Sequence, residues 1–370
     1  MRTAIILFNL GGPDGPDAVE PFLFNLFNDP AIITAPQPIR WLLARFISKR
    51  RAPVAQKIYQ KLGGGSPLNA NTRAQADALT AALSDLGPEP GPDIGDVRCF
   101  MCMRYWKPRC ESVVQDVKTF NPDRIILLPL YPQYSTTTTA SSFQEWRAQA
   151  RKVGLVAPTR AICCYPRQSG FVAEAARLIR EGMTEAEKVG TPRLLFSAHG
   201  LPKKFVDGGD PYQRHVELSA AAIVDELAIE GLDWRLCYQR RVGRLEWIRP
   251  YIEDEISAAG VEKRPIVLFP IAFVSEHSET LVELDVEFRE LANEKGAPAY
   301  IRVNTVGVAD GFIKGLAALI RSALAGDNTT GDNTVGDNMV GDDVTAPGGC
   351  EERPCGTAFS GCAMMQGSNR

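Results

Sequence analysis

The sequence predicts an α/β fold in which parallel sheets are covered by helices on both faces. Short apolar segments alternate with longer segments of helical periodicity along most of the chain, which is the pattern of parallel strands joined by helices. Unusual polar residues follow several apolar segments, and ligands of such folds bind beyond the carboxyl ends of the strands. At 370 residues, the chain is long enough for two such domains.

Eight apolar segments are predicted as strands: 4–10, 97–103, 124–129, 160–164, 194–198, 236–238, 266–273 and 299–303. Predicted helices between them include 71–86, 109–120, 170–189, 214–229 and 280–293. The first strand runs into Asn9-Leu-Gly-Gly-Pro, and later strands run into Met103-Arg-Tyr, Tyr131-Pro-Gln-Tyr-Ser and Ser197-Ala-His-Gly. We therefore expect functional side chains at these strand ends.

Composition excludes several classes of protein. The chain is 45% hydrophobic and 23% charged, which are ordinary globular values, and its net charge of -3 argues against a general nucleic-acid binder. The longest apolar run, 266–274, contains a proline and is too short to span a bilayer. The apolar N-terminus runs directly into two glycines and reads as a strand rather than a signal peptide. We expect a cytoplasmic protein, with peripheral membrane contact left open.

Two of the three histidines follow predicted strands. His277 precedes a ladder of carboxylates, Glu279, Glu283 and Glu287, which are four residues apart and share one face of a helix. Such like charges repel by a few tenths of a kcal/mol per pair, so the ladder is either a solvated acidic face or a path for cations. His199 follows another strand, and the two histidines favour a shared site. The third, His215, lies in a predicted helix and is expected at the surface.

Two further segments have open interpretations. The lip segment, residues 36–51, is apolar on one side and has a basic end. It is either an ordinary core helix or an exposed lip that contacts a membrane or a large apolar ligand. The Gly63-Gly-Gly-Ser66 loop permits close ligand approach but lacks the lysine of a phosphate-binding loop.

The C-terminal part differs in composition from the rest. Residues 326–343 repeat Gly-Asp-Asn with a period of five, which predicts a flexible linker rather than a calcium-binding repeat. Cys350, Cys355 and Cys362 follow in a tail too short for its own core. Clustered thiolates there are either metal or iron–sulfur ligands or three unrelated thiols.

Taken in order, these motifs resemble the ferrochelatase family, from Leu7 to about Ala325. The resemblance implies two similar Rossmann-like domains of the type II chelatase kind, with a porphyrin cleft between them. We assign residues 1–160 to the first domain, 161–325 to the second, 326–349 to the linker and 350–370 to the cysteine-bearing tail. The implied activity is that of a lyase, the insertion of ferrous iron into protoporphyrin IX with release of two protons. Its implied partners are porphyrin and ferrous iron, with no nucleic acid; a homodimer is left open.

The resemblance also implies roles for individual residues. His199, His277 and Glu279 match the catalytic group that takes pyrrole protons and handles metal. An iron path is matched by His199, Glu279, Glu276, Glu283 and Glu287. Residues that match the porphyrin pocket or its basic lip are Tyr59, Ser66, Arg104, Tyr131, Ser135, Trp247, Phe273, Arg50 and Arg51.

Some bacterial members of the family carry a 2Fe–2S cluster, with three ligands in a C-terminal extension. Cys350, Cys355 and Cys362 match that extension, and the fourth ligand is expected to be Cys163 or Cys164. Cys237 is disfavoured because it lies inside a predicted strand.

The chain departs from the family pattern at three positions. Arg240, Arg244 and Arg249 stand where the family usually has serine, proline and glycine. If Arg249 adopts positive φ, the strain is on the order of 1–3 kcal/mol, and we expect reduced activity or stability. Two alternatives are left open: a coproporphyrin ferrochelatase, which the cysteine-bearing tail does not distinguish, and a catalytically weakened porphyrin- or heme-binding protein, which the three arginines support.

Overall fold

Parallel strands form the framework of the protein. The computed structural model describes residues 1–85, 94–239 and 245–325, so Arg240, Arg244, the linker and the cysteine tail lie outside the described residues. In these residues the strands are β1 Arg2–Asn9, β2 Asp96–Met103, β3 Arg124–Pro129, β4 Thr159–Ala161, β5 Arg193–His199, β6 Trp234–Gln239, β7 Ile266–Phe269 and β8 Tyr300–Arg302. Each of the eight predicted strands is present, and the α/β class is confirmed.

Helices connect the strands. They are α1 Val19–Phe27, α2 Gln37–Gln60, α3 Leu68–Asp85, α4 Cys110–Phe120, α5 Ser141–Val153, α6 Ser169–Glu187, α7 Lys203–Asp207, α8 Tyr212–Leu227, α9 Ile252–Val261, α10 Phe288–Glu294 and α11 Asp310–Ala325. A 3₁₀ turn, Pro16–Ala18, precedes α1. Two segments are π-helices: the first π-helix is Thr136–Ala140 and the second π-helix is Glu279–Glu287. No helix of the described residues is long and apolar enough to cross a bilayer.

The described chain divides into two compact units. Unit 1 comprises residues 1–164 and 316–325, and unit 2 comprises residues 165–315. The sheet of unit 1 has the order β2-β1-β3-β4 and that of unit 2 the order β6-β5-β7-β8, with every pairing parallel. Each unit therefore repeats one strand order, and in each a π-helix follows the third strand in sequence.

Burial explains why the apolar strands were readable from sequence. Every residue of β7 is buried, and β5 is buried up to its last residue, His199. Parallel strands covered on both faces read as continuous apolar runs rather than alternating ones. In unit 2, Leu195, Leu268 and Leu284 belong to one buried cluster that joins the sheet to α9, α10 and the second π-helix. The core thus lies directly beneath the predicted site.

The structure differs from the sequence expectation for His215, which is fully buried in α8. His215, Ser219, Ile223 and Leu227 are spaced four apart and are all buried, so they form the inner face of the helix. The polar neighbours Gln213 and Arg214 suggested an exposed segment, but the period of the helix decides which face is buried. The surface prediction for His215 was wrong.

Candidate functional site

The predicted histidines of unit 2 lie where the order of its strands reverses. His199 is the last residue of β5, and His277 follows β7, the neighbouring strand. Strand β6, on the other side of β5, ends at Gln239, which pairs in register with His199. A parallel sheet of this order has its crevice at such a reversal, beyond the carboxyl ends of the strands. The topology therefore brings side chains distant in sequence to one place.

One carboxylate oxygen is the centre of the site. Glu279 Oε2 lies 3.3 Å from His199 Nδ1, 3.6 Å from His277 Nε2 and 3.1 Å from Gln239 Nε2. Glu279 begins the second π-helix, and its side chain is 21% exposed. The sequence itself predicts that the helix begins irregularly or is widened here, because His277 and Glu279 are only two residues apart and a regular α-helix does not align such residues. The π-helix confirms this prediction.

Electrostatics keep this carboxylate ionised. Burial alone raises the pKa of Glu279, but the attraction and hydrogen bonds from His199 and His277 outweigh it and hold the pKa well below its usual range. The Nδ1 of His277 lies 3.3 Å from the carbonyl oxygen of Ser275, which can only accept a hydrogen bond. That contact places a proton on Nδ1, and Nε2 is the ring nitrogen that faces Glu279. A proton or a cation between the two groups satisfies both.

Polar groups beside the site orient its residues through hydrogen bonds. Ser197 Oγ donates to Gln239 Oε1 at 2.9 Å, which orients the amide so that its nitrogen donates to Glu279. The Tyr212 hydroxyl donates to the backbone carbonyl of His199 at 3.1 Å. Sequence reasoning did not select Gln239, Ser197 or Tyr212 as site residues. Gln239 could have been selected, because it is a polar residue at the end of an apolar strand, as His199 is.

The acidic ladder passes from the interior to the surface. Glu283 is buried and Glu287 is exposed, so the ladder starts at the site and ends in solvent. Glu276 precedes His277, and its Oε1 accepts hydrogen bonds from Arg302 at 2.6 Å and from the Thr305 N–H at 2.8 Å. Glu276 is therefore held by protein groups, unlike a carboxylate that faces open solvent.

Two aromatic residues of unit 2 flank the histidines. The ring centroids of Phe273 and His277 are 4.5 Å apart. Trp247 is half-buried and forms an isolated bridge with Pro202, in the segment that follows His199. Phe273 thus contacts His277 directly, whereas Trp247 pairs with the segment that follows His199.

Arg104 of unit 1 is held by a buried network. Its Nη2 lies 2.8 Å from Asp29 Oδ2, its Nη1 donates to Glu145 at 2.8 Å, and its Nε donates to Ser141 Oγ at 2.8 Å. Burial lowers the pKa of Arg104, but Glu145 and Asp29 more than offset this and raise it. The Tyr105 hydroxyl also donates to Asp29, at 2.8 Å.

The other predicted residues of unit 1 have structural contacts of their own. Ser135 Oγ accepts the Thr137 N–H at 3.2 Å and so caps the first π-helix. The Ser66 N–H donates to Pro13 O at 2.7 Å, which joins the two glycine-rich loops. A Cβ on Gly12 would lie 2.4 Å from that of Ser66, so glycine is required there. Tyr131 is buried.

Residues on α2 fall on opposite faces of that helix. Tyr59 is buried in a cluster with Val19, Leu23 and Ala52. Arg50 and Arg51 are exposed, and Arg51 lies over the Phe27 ring, 5.8 Å from its centroid.

Comparison with known proteins identifies the family. The ferrochelatase family model matches residues 2–324. The chain is 50% identical to a ferrochelatase of Caulobacter vibrioides, over 87% of this chain and 90% of that one. It is 51% identical to a ferrochelatase of Phenylobacterium zucineum, over 88% of this chain and 92% of that one. The chain belongs to the ferrochelatase family. It is a lyase that inserts ferrous iron into protoporphyrin IX in heme synthesis, and neither alternative activity is favoured.

A solved structure shares the fold at low sequence identity. SirB from Bacillus subtilis with Fe3+ aligns with a TM-score of 0.50 and 10% identity, over 88% of this chain and 97% of that one. The likeness shows that this ferrochelatase has the type II chelatase fold.

The departure from the ferrochelatase pattern is milder at Arg249 than expected. Arg249 is exposed and is not among the described non-glycine residues with positive φ, so the condition for backbone strain at this position is not met. Its guanidinium instead lies 4.4 Å from the ring centroid of Tyr251. The other two arginines, Arg240 and Arg244, lie outside the described residues.

Cys163 and Cys164, at the end of unit 1, are both buried and their sulfur atoms are 3.6 Å apart. Within the described ranges, no group of three His, Cys, Asp or Glu side chains, the cluster around Glu279 included, is arranged to hold a resident metal ion. The three tail cysteines lie outside the described residues. The described residues therefore hold two neighbouring thiols here, but no cluster site.

Proposed function

We propose that His199, His277 and Glu279 form the metallation site of this ferrochelatase. The observation that carries the proposal is the convergence of both imidazoles on Glu279 Oε2, at 3.3 Å and 3.6 Å. A solvated acidic face would have no such partners. The arrangement places a carboxylate and two imidazoles, all of which can accept protons, in a single cluster, which suits the removal of protons from a porphyrin.

The proposed chemistry follows from the charge balance of the reaction. A free-base porphyrin loses two pyrrole protons as ferrous iron enters, so the site must accept two protons and pass them to solvent. With Nδ1 of His199 donating to Glu279, its Nε2 is left to accept a pyrrole proton. The ionised Glu279 then stabilises the resulting imidazolium. Hydrated iron loses water to carboxylate and imidazole groups that bind it without retaining it.

We propose the acidic ladder as the route between the site and solvent. Glu283 is buried and Glu287 is exposed, which supports a path that starts at Glu279. Glu276 is proposed only as a flanking group, since Arg302 and Thr305 already bind it. Proposed porphyrin contacts are Phe273 and Trp247 of unit 2 and Tyr59, Ser66, Arg104, Tyr131, Ser135, Arg50 and Arg51 of unit 1.

The test compares variants in anaerobic metallation of protoporphyrin by ferrous iron. Glu279→Gln and His199→Ala should each lower kcat by at least about 100-fold, because a positioned proton acceptor contributes that much. Porphyrin binding, measured by fluorescence quenching, should persist. Glu290→Gln is the matched control, because Glu290 lies on the exposed face of α10. A Glu279→Gln enzyme with wild-type kcat would contradict the proposal.

We propose further that the protein binds a 2Fe–2S cluster through Cys350, Cys355, Cys362 and one of Cys163 and Cys164. The proximity of the two buried thiols supports the fourth position. When bound, such a cluster would supply one-electron redox chemistry. The anaerobically purified full chain should show visible cluster absorption, with iron and acid-labile sulfide in equal amounts. Either Cys163→Ser or Cys164→Ser should abolish that absorption while Cys237→Ser retains it. Retention by both of the paired variants would refute the assignment.

We propose finally that this is a cytoplasmic enzyme that contacts membranes through the lip segment. Ile39, Leu42 and Phe46 of α2 are 54%, 62% and 65% exposed. Arg50 and Arg51 follow them along the same helix and are exposed as well. An exposed apolar stripe next to basic residues is the composition of an interfacial helix.

A further inference from the structure

Strand β8 presents two long polar side chains on one face. Tyr300 and Arg302 are two residues apart, so they point to the same side of the sheet. Both contact the second π-helix. Neither belongs to the group of His199, His277 and Glu279. We infer that Tyr300 and Arg302 are positioning residues that hold the second π-helix and, through it, Glu279; the inference rests on the metallation role proposed for Glu279.

Tyr300 satisfies a backbone carbonyl where the helix changes its pitch. The Phe288 N–H pairs with the carbonyl of Glu283, five residues back, whereas α10 begins at Phe288. Where pairing over five residues returns to pairing over four, one carbonyl is passed over. The next carbonyl in line is that of Leu284, and it accepts the Tyr300 hydroxyl at 2.7 Å in a buried hydrogen bond. The hydroxyl therefore compensates the backbone for its widened turn.

Arg302 joins the two ends of the catalytic segment. Its Nε and Nη2 donate to Asp285 Oδ1 and Oδ2 at 2.9 Å and 2.7 Å, a bidentate contact near the C-terminal end of the π-helix. Its Nη1 donates to Glu276 Oε1 at 2.6 Å. In sequence, Glu276 and Asp285 bracket both His277 and Glu279. One guanidinium thus fixes the segment on either side of the two catalytic side chains.

Because these charged groups are largely buried, removing one of them is costly for the others. The Arg302 side chain is only 6% exposed, and its two carboxylate partners are 22% and 26% exposed. The Thr305 N–H also donates to Glu276 at 2.8 Å, so that carboxylate is held from two directions. Removing the guanidinium leaves two half-buried carboxylates with like charge on one short segment, and these repel. The segment would then relax, and Glu279 would move away from the two imidazoles.

The test uses Tyr300→Phe and Arg302→Gln in the full chain. Each should lower kcat for metallation of protoporphyrin by ferrous iron about tenfold, because a displacement smaller than the roughly 1 Å that costs about 100-fold in rate is expected for Glu279. The KM for protoporphyrin should stay within about twofold, since neither residue is a proposed porphyrin contact. Hydrogen exchange of the peptide that spans residues 279–287 should become faster in both variants. Tyr300→Phe keeps the packed ring and removes only the hydroxyl. It therefore still tests the positioning role if Arg302→Gln fails to fold.

Arg193→Gln is the matched control. Arg193 is also 6% exposed and binds two carboxylates, Asp233 and Glu262, each at 2.8 Å. It is the first residue of β5 and His199 is the last, which places it roughly 20 Å from the site at the rise of a β-strand. Arg193→Gln should lower the melting temperature without lowering kcat of the folded enzyme. An equal loss of kcat in this control would overturn the inference, because the effect would then be one of global stability.

A double-mutant cycle separates this inference from the proposed function. If Arg302 acts through Glu279, then adding Arg302→Gln to Glu279→Gln should lower kcat by no more than about twofold further. Wild-type kcat in both Tyr300→Phe and Arg302→Gln, with Glu279→Gln inactive, would overturn the positioning role alone. Wild-type kcat in Glu279→Gln would instead overturn the metallation site itself.

Discussion

At the scale of the residue, the site depends on what surrounds a single carboxylate. Three glutamates spaced four apart are most often a solvated helix face. The environment of Glu279 differs because two imidazoles and an amide approach one of its oxygens, at 3.1–3.6 Å. The contacts of Glu279 with His199 and Gln239 are absent from local sequence spacing, since they join the second π-helix to the ends of β5 and β6. The histidines could be predicted from their positions at strand ends, whereas the oxygen on which they converge could not.

The depressed pKa of Glu279 has a consequence for stability. The usual carboxyl pKa is about 4.3, and the native value lies below it. Ionisation of Glu279 therefore stabilises the fold at any pH above about 4.3, and this contribution is lost as the pH falls through the native pKa. Glu279→Gln should lower the melting temperature at pH 7 by roughly 2–4 °C for a loss of about 1 kcal/mol. The difference in melting temperature between this variant and the wild type should become smaller below about pH 4.

Melting curves from pH 3 to 7, monitored by circular dichroism, test this prediction, with Glu290→Gln as the control for removal of an exposed carboxylate. A difference in melting temperature that grows as the pH falls would contradict the prediction that ionised Glu279 stabilises the fold.

At the scale of the element, sequence and structure agree best where burial is continuous. Strands β5 and β7 were readable because nearly every residue is apolar and buried. The widening of the second π-helix was foreseen, since His277 and Glu279 could not otherwise share a site. The first π-helix was not foreseen. Its run of threonines contains no pair of expected site residues whose spacing is incompatible with a regular α-helix. Tyr300 and Arg302 were also missed, because a three-residue strand far from its partners in sequence gives no local signal.

The first π-helix offers a prediction about capping. Ser135 is buried, its hydroxyl accepts the Thr137 N–H at 3.2 Å, and it lies 2.9 Å from the Thr137 hydroxyl. Ser135→Ala leaves that N–H without its cap, so it should lower the free energy of unfolding by about 1–2 kcal/mol. Equilibrium urea unfolding measures the change. Ser84→Ala is the control, since the exposed Ser84 hydroxyl only donates back to Thr80 O within α3 and its loss should cost less than about 0.5 kcal/mol.

At the scale of the whole molecule, each unit repeats one strand order, yet their strand ends carry different chemistry. The first strand of unit 1 ends at Asn9, which donates to Thr72 in a buried contact. The first strand of unit 2 ends at His199, which faces Glu279. The repeated order supplies equivalent strand ends, and only unit 2 places histidines there. The repeated fold could be predicted well from the sequence because the spacing of apolar residues determines its strands and helices. The difference in function depends on which polar residues occupy equivalent positions.

The lip segment gives the last prediction, because it concerns how the molecule meets a surface rather than how it folds. Ile39, Leu42 and Phe46 are spaced three and four apart, so they lie on one face of α2, and all are exposed. Each nearby basic residue adds about 1 kcal/mol of attraction to an anionic leaflet. The wild-type protein should therefore sediment with vesicles that contain about 30% phosphatidylglycerol in phosphatidylcholine, and salt should weaken this binding. Leu42→Ser with Phe46→Ser should reduce the bound fraction at least tenfold, since about 1.5–3 kcal/mol is lost per apolar side chain. Val261→Ser is the control, because Val261 is 75% exposed but isolated at the end of α9. Equal sedimentation of the double variant and the wild type would show that the lip segment does not bind membranes.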